Sequence, residues 1–333
     1  MNLFELTRKL VDIESISGNE AAVANYLCDH LSDAIAQHQG RIERIDVEPN
    51  RFNVLASWGD PTVTLSTHLD TVPPFFASSE DADNIWGRGA CDTKGIIAAM
   101  IFAVQELLDE GQRNIGLLFV VGEERNSTGA YRAARENRGS RYLINGEPTE
   151  NKLAIGSKGA LRVELKATGR MAHSAYPELG ESAIVKLLDA LARVRHIPLP
   201  NDPTLGASTL NIGVISGGRA ANVIPDQAKA EIMIRLVDDG QSTRCALHDA
   251  VNGRVELHEV LAIPAAHLGY LPGFETTVVS FTTDIPALGP SWGKPYLLGP
   301  GTIHVAHTSE ERVPKQQLIE AVQIYKRMVK QLL

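Results

Sequence analysis

Three short apolar runs, each stopping at an acidic or imidazole residue, constrain this chain more than any other feature. Val63 and Leu65 alternate with Thr62, Thr64 and Ser66, the period of a strand. That run ends in His68-Leu69-Asp70, and Pro73-Pro74 then turns the chain away. Ile115 to Val121 is apolar throughout, as a strand buried on both faces must be, and stops at Gly122-Glu123-Glu124. Arg141 to Asn145 reads as a third strand and stops at Gly146-Glu147-Pro148. Between the first two, Gly87 to Gly95 leads into a helix, Ile96 to Leu108, so apolar that it must be covered on most sides. Strands alternating with such helices predict an α/β domain with its sheet between helix layers, and ligands of open α/β sheets sit beyond the carboxyl ends of the strands. His68, Asp70, Glu123, Glu124, Glu147 and Asp92, the last at the predicted start of the helix, are therefore expected on one sheet edge. His68 and Asp70, two residues apart, share a face. The imidazole can offer a neutral nitrogen to a metal while the Asp70 carboxylate takes the other N–H and fixes the tautomer.

The remaining pattern predicts a second domain. Residues 3–13 read as a helix, and Ser17-Gly18-Asn19-Glu20 has the spacing of a capping box opening another, with the stripe Val23, Leu27, Leu31, Ile35. Arg41–Val47 and Phe52–Ala56 read as strands. From Gly159 the order is strand (Leu161, Val163, Leu165, Ala167 alternating), helix 181–194, strands 208–216 and 228–237, helix 242–251 and strand 254–260. That β-α-β-β-α-β order is ferredoxin-like, and 333 residues exceed what one core usually serves. Expected boundaries are 1–156 with 263–333 for the first domain and 157–262 for the insertion. After a Gly/Pro-rich stretch, His304 and His307 precede a last amphipathic helix, Pro314 to Leu332.

Composition excludes several classes. A net charge of −8 with no basic run argues against nucleic acid. No apolar stretch reaches the roughly 18–20 residues of a membrane span, and the N-terminus lacks a signal-peptide layout. The three cysteines (Cys28, Cys91, Cys245) contain no CxxC, which excludes a disulfide framework and fits a reducing cytoplasm, the expected location.

Six motifs in order resemble the M20 metallopeptidase/deacylase family, which includes acetylornithine deacetylase, succinyl-diaminopimelate desuccinylase and aminoacylases. They are His68-Leu69-Asp70, Gly87 to Gly95, Gly122-Glu123-Glu124, Gly146-Glu147-Pro148-Thr149, Ala172-His173-Ser174-Ala175-Tyr176-Pro177, and Leu298-Gly299-Pro300-Gly301 through Ala306-His307. The resemblance implies a zinc-peptidase-like α/β/α catalytic domain with an inserted ferredoxin-like α+β dimerisation (lid) domain. It implies two zinc ions, with Asp92 bridging them, His68 and Glu147 completing one site, and Glu124 and His307 the other. Five nitrogen and oxygen ligands with no thiolate suit zinc or cobalt. Glu123, beside ligand Glu124, would then be the general base.

His304 competes with His307 as the ligand; His307 matches the family's spacing and the Glu311 that follows. Cys91 beside Asp92 reads as a small buried thiol rather than a ligand. His173 alone would be a turn histidine, but the resemblance implies a donor to the oxyanion in the partner's site of a homodimer. Gly217 to Pro225, including Asn222, with Arg235 on the next strand and Gly301, resembles the family's substrate-carboxylate site; alone, Arg235 is a surface strand arginine. The expected reaction is zinc-dependent hydrolysis of an N-acyl-L-amino acid, an N-acetylornithine- or N-acetylcitrulline-type substrate of arginine biosynthesis. Rivals are a dipeptidase, a hydrolase releasing lysine or ornithine from an amino-group carrier protein, and a catalytically dead amino-acid-binding scaffold, against which Glu123 argues.

Overall fold

A computed structural model describes residues 1–136 and 138–333. The chain forms two compact units, one of 1–155, 268–277 and 283–333, the other of 156–267 and 278–282.

The first unit opens with α1 (Leu3–Val11) and α2 (Ala21–Gln37), then β1 (Arg41–Glu48), β2 (Arg51–Trp58) and β3 (Val63–His68). Next come α3 (Gly95–Asp109), β4 (Ile115–Val120), α4 (Thr128–Ala133) and β5 (Tyr142–Asn145). The capping box lies at α1 rather than α2. Asn2 accepts from the Glu5 N–H at 2.9 Å, and the Glu5 carboxylate accepts from the Asn2 N–H at 2.8 Å. The expected box at Ser17 and Glu20 does not form: α2 has no side-chain cap, and both residues bond to distant parts of the unit instead.

The second unit holds β6 (Gly159–Thr168), α5 (Ala183–Val194), β7 (Thr209–Gly217), β8 (Gln227–Leu236), α6 (Gln241–Val251) and β9 (Glu256–Ile263). Its sheet runs β7-β8-β6-β9, all antiparallel, which is the ferredoxin-like arrangement. Leu161, Val163 and Leu165 alternate with outward polar residues and pack with Leu187, Val194 and Leu247 of the helices in one core. The outer faces of α5 and the edge strand β7 keep apolar side chains in solvent: Val185, Leu188, Val214 and Ile215.

The chain then completes the first unit with β10 (Lys294–Leu297) and α7 (Lys315–Leu332), for which Pro314 is the N-cap. Six neighbouring strands of its sheet run in the order β1-β2-β4-β3-β5-β10. β3 runs parallel to β4 and β5, and β5 parallel to β10, so four strands end at the same edge. Helices cover both faces. α3, buried over nearly its whole surface, packs with α7 on one side; Ala130, Leu288 and Trp292 cover Leu118, Val120 and Leu143 on the other. Each large aliphatic side chain so buried contributes about 1.5–3 kcal/mol, which fixes the sheet edge as a stiff platform.

Candidate active site

His68 ends β3 opposite Val120 of β4, so the turn after β4 carries Glu123 and Glu124 to the same edge. Asp92 arrives from the turn before α3. It precedes the helix rather than opening it: its φ of −123° and ψ of 81° are non-helical, and Lys94 occupies the N-cap position. The Asp92 carboxylate faces two imidazoles, His68 Nε2 donating to Oδ1 at 3.0 Å and His307 Nε2 lying 3.2 Å from Oδ2. His307 Nε2 also donates to Glu124 Oε1 at 3.0 Å. His68, Asp92 and Glu124 offer ligand atoms within 4.8 Å of one another. Glu147 follows β5 and is buried beside them. His304 is exposed, and its ring makes no hydrogen bond among the described residues.

The Asp70 carboxylate does something other than expected. The His68 Nδ1–H donates to the Asp70 carbonyl oxygen at 2.9 Å, while the carboxylate oxygen stands off at 3.6 Å. That carboxylate instead accepts from the backbone N–H groups of Gly122, Glu123 and Glu124 at 2.9, 3.0 and 3.1 Å and from the Ser17 hydroxyl at 2.6 Å.

Two acids were not singled out as site residues by sequence. Glu311 accepts from Arg88 at 2.6 Å and from the Gly89 and Asp92 N–H groups at 2.9 and 3.3 Å, tying the Asp92 turn to the segment that carries His307. The Cys91 thiol also points at Glu311, 3.8 Å away, so it is a packed thiol, not a ligand. Asp284 is buried near Asp70 and Glu124 and stands at a helix N-cap position without making a cap bond.

The electrostatics of so many buried acids favour a cation. Burial, reinforced by Glu147, Asp284 and Glu124 against the pull of His68, pushes the Glu123 carboxyl well up, and Glu147 moves likewise. Asp284 rises to about 7, through burial first. Burial opposes the His68 imidazolium but is outweighed by Asp92, Glu123 and Glu147, and its pKa rises. His307 is raised to about 10 by Asp92 and Glu124. For Asp92, burial works upward and the two imidazoles outweigh it, holding the carboxyl well down. Glu147 Oε1 and Asp284 Oδ1 are buried without a hydrogen-bond partner among the described residues, a costly state for a carboxylate oxygen. An all-oxygen-and-nitrogen donor set with excess negative charge and an unpartnered oxygen fits divalent metal.

The site candidates of the second unit sit as follows. His173 is exposed, its strand pairing with Val223, and the Asn222 carbonyl accepts from the Ser174 N–H, so His173 and Asn222 share one corner. Arg235 on β8 is half-buried, with no hydrogen bond or ion pair among the described residues, and burial lowers its pKa. In the first unit, Gly301 has φ +88°, where a Cβ would lie 2.6 Å from that of Cys91, and its N–H donates to Gln317 at 2.7 Å.

A family model described as peptidase family M20/M25/M40 matches residues 64–331. The chain belongs to this family. It is 41% identical, over 98% of its length and 84% of the other's, to a peptidase M20 domain-containing protein of Schizosaccharomyces pombe. It is 40% identical, over 97% and 88%, to a probable carboxypeptidase of Aspergillus niger. An aminopeptidase from Bacillus cereus has the same fold, with TM-score 0.81, 19% identity and coverage of 99% and 98%. As an M20 peptidase the chain is a metal-dependent hydrolase of the α/β class with an inserted second domain. Among the described residues no helix is long and apolar enough to cross a membrane.

Proposed function

We propose that this M20 peptidase hydrolyses the amide bond between an acyl group and an amino acid carrying a free α-carboxylate. Such a bond closes the C-terminus of a peptide and is also the bond of an N-acyl amino acid. The observation that carries the reading is Asp92 turning one oxygen to His68 and the other to His307, with Glu123 and Glu124 adjacent on the facing turn. Asp92 would bridge two metal sites, His68 and Glu147 completing one and Glu124 and His307 the other. When bound, two zinc ions, or cobalt in their place, supply Lewis-acid polarisation of the scissile carbonyl and lower the pKa of the attacking water.

Glu123 takes the proton from that water and returns it to the departing amine. His173 accepts the Ala175 N–H on Nδ1 at 3.1 Å, which leaves the ring proton on Nε2, exposed and free to donate. The second unit would pair with its copy through the apolar faces of α5 and β7, and His173 would serve the partner's oxyanion. Arg235, a fork without a hydrogen-bond or ion-pair partner among the described residues, would with Asn222 hold the substrate's carboxylate.

The C-terminal peptide bond is the first choice, because relatives about two-fifths identical carry the name carboxypeptidase. Deacetylation of N-acetylornithine-type substrates and cleavage of free dipeptides are narrower members of the same class. The test is a panel of benzyloxycarbonyl-Gly-Leu, its C-terminal amide, Gly-Leu, N-acetylornithine and leucinamide, each with zinc and with cobalt. Hydrolysis of the blocked dipeptide but not its amide is expected. Cleavage of Gly-Leu alone would restrict the reading to a dipeptidase, and of N-acetylornithine alone to a deacetylase. Equal cleavage of the amide would overturn the requirement for a free carboxylate.

A further inference from the structure

Ser17 lies in a loop whose sequence looks like a helix cap, yet its hydroxyl makes no cap bond. It is almost fully buried and donates to Asp70 Oδ2 at 2.6 Å. The Ser17 loop is fastened along the end of β3. The Ser17 N–H donates to the Thr71 carbonyl at 3.1 Å, the Thr71 N–H to the Ser15 carbonyl at 3.0 Å, and the Ser15 hydroxyl to the Leu69 carbonyl at 2.8 Å. Asp70 thus stands between two segments. Its Oδ1 accepts from Gly122 and Glu123, and its Oδ2 from Glu124 and Ser17. A carboxylate has about four acceptor positions, so nothing of Asp70 is left for substrate or cation.

The turn it holds needs holding. Gly122 has φ +82°, where a Cβ would meet Thr128 Oγ1 at 2.6 Å, so the backbone leaves β4 through a bend open only to glycine. The Glu123 side chain makes no hydrogen bond among the described residues, so its direction depends on the backbone beneath it. Three successive N–H groups of that backbone end on the one carboxylate, and the far side of the carboxylate rests on Ser17.

We propose that Ser17 is a positioning residue for the Glu123–Glu124 turn, acting through Asp70, whose carboxylate is the peg on which that turn hangs. The proposal rests on Glu123 being the base. Removing the hydroxyl lets the carboxylate rotate within its pocket and takes the three amides with it. A shift of the base by about an ångström lowers turnover about ten- to a hundredfold, whereas remote substrate contacts are untouched and KM stays within about twofold.

The experiment compares Ser17→Ala, Ser17→Thr and Glu123→Gln in the full-length metal-loaded protein. It reads kcat and KM on benzyloxycarbonyl-Gly-Leu, bound metal per chain, and amide hydrogen exchange of peptides covering residues 120–126. Ser17→Ala should lose kcat as above, keep KM and its metal, and exchange faster at 120–126 but not in β3. Ser17→Thr, which keeps the hydroxyl, should restore both. Unchanged exchange at 120–126 in Ser17→Ala overturns the proposal. So does full kcat in Ser17→Ala while Glu123→Gln is inactive. A fully active Glu123→Gln would instead overturn the assignment of the base, and the exchange data would still decide whether Ser17 holds the turn.

Discussion

Stripping the cation should make this protein progressively less stable as pH rises, by an amount the buried acids set. Without a cation, Asp284, ordinarily at 3.8, is held at about 7 by burial and by Asp70 and Glu124. Glu311, ordinarily at 4.5, is held at about 7 by burial and Asp92. Each keeps a proton in the folded chain that the unfolded chain has lost, so stability falls as pH climbs from the ordinary value towards about 7. From about pH 5.5 to 7, allowing for the part already ionised near 7, that is about 1.6 kcal/mol for each, or about 3 kcal/mol together, at about 1.4 kcal/mol per unit. Glu123 and Glu147 are also raised by burial, and add the same sign. His307, raised from 6.5 to about 10, adds the same sign: its stabilisation is complete below 6.5 and is lost as pH rises towards 10. Asp92 acts oppositely, but only below its ordinary 3.8. Against a typical total of about 5–15 kcal/mol, about 3 kcal/mol is large. Urea midpoints followed by circular dichroism, at pH 5.5, 7 and 8.5, compare EDTA-dialysed with zinc-reloaded protein. With slopes of about 1–3 kcal/mol/M, the stripped midpoint should drop by more than about 1 M between pH 5.5 and 7, and the reloaded one far less. A stripped midpoint that is flat or rises, or a reloaded one that falls as steeply, would refute the reasoning.

Glu123→Gln keeps shape but cannot take a proton, so turnover should fall about 10²–10⁴-fold with metal content unchanged; loss of metal instead would mean that Glu123 and Glu124 are interchanged. His307→Ala should weaken metal binding measured by elemental analysis after dialysis, and His304→Ala should not; the reverse result would reassign the loop. Mixing His173→Ala with Glu123→Ala subunits after dissociation should return about a quarter of wild-type activity, since about half the dimers are mixed and each holds one intact site of two. No recovery would mean that His173 does not act across a subunit interface.

The convergence of the candidate site residues was legible because they lie where periodicity is strongest. A strand that alternates, or is apolar throughout, shows where it stops, and parallel pairing of β3, β4 and β5 makes separate stops coincide. His68, Glu123, Glu124 and Glu147 are such stops. The ferredoxin-like unit was legible for the same reason, through Leu161, Val163 and Leu165. What the residues between the stops do was not legible. Ser17 and Glu20 fit a capping box by spacing, but Asp70, fifty-three positions away, and Arg51, thirty-one away, claim them instead. Asp284 before Ile285-Pro286 has the local pattern of a helix cap, and only the approach of Asp70 and Glu124 shows its carboxyl to be part of the acidic cluster.

The reason is a difference in range. A metal-binding cluster can be assembled from strand ends, because the backbone ladder already places them side by side. The groups that aim those ligands are chosen by whichever side chain of a distant segment comes within hydrogen-bond reach. Arg88 and Glu311, 223 positions apart, meet at 2.6 Å, and that same carboxylate takes the Asp92 N–H. Nothing in the local pattern around Arg88 distinguishes it from a loop arginine. Glu311 is marked only by standing four residues after His307. Yet the pair is buried on both sides, and once Glu311 is ionised such a pair broken on one side costs about 3–5 kcal/mol. The Asp92 turn is therefore held as firmly as the sheet beside it, as the bridging role proposed for Asp92 requires if it is to present both oxygens at once.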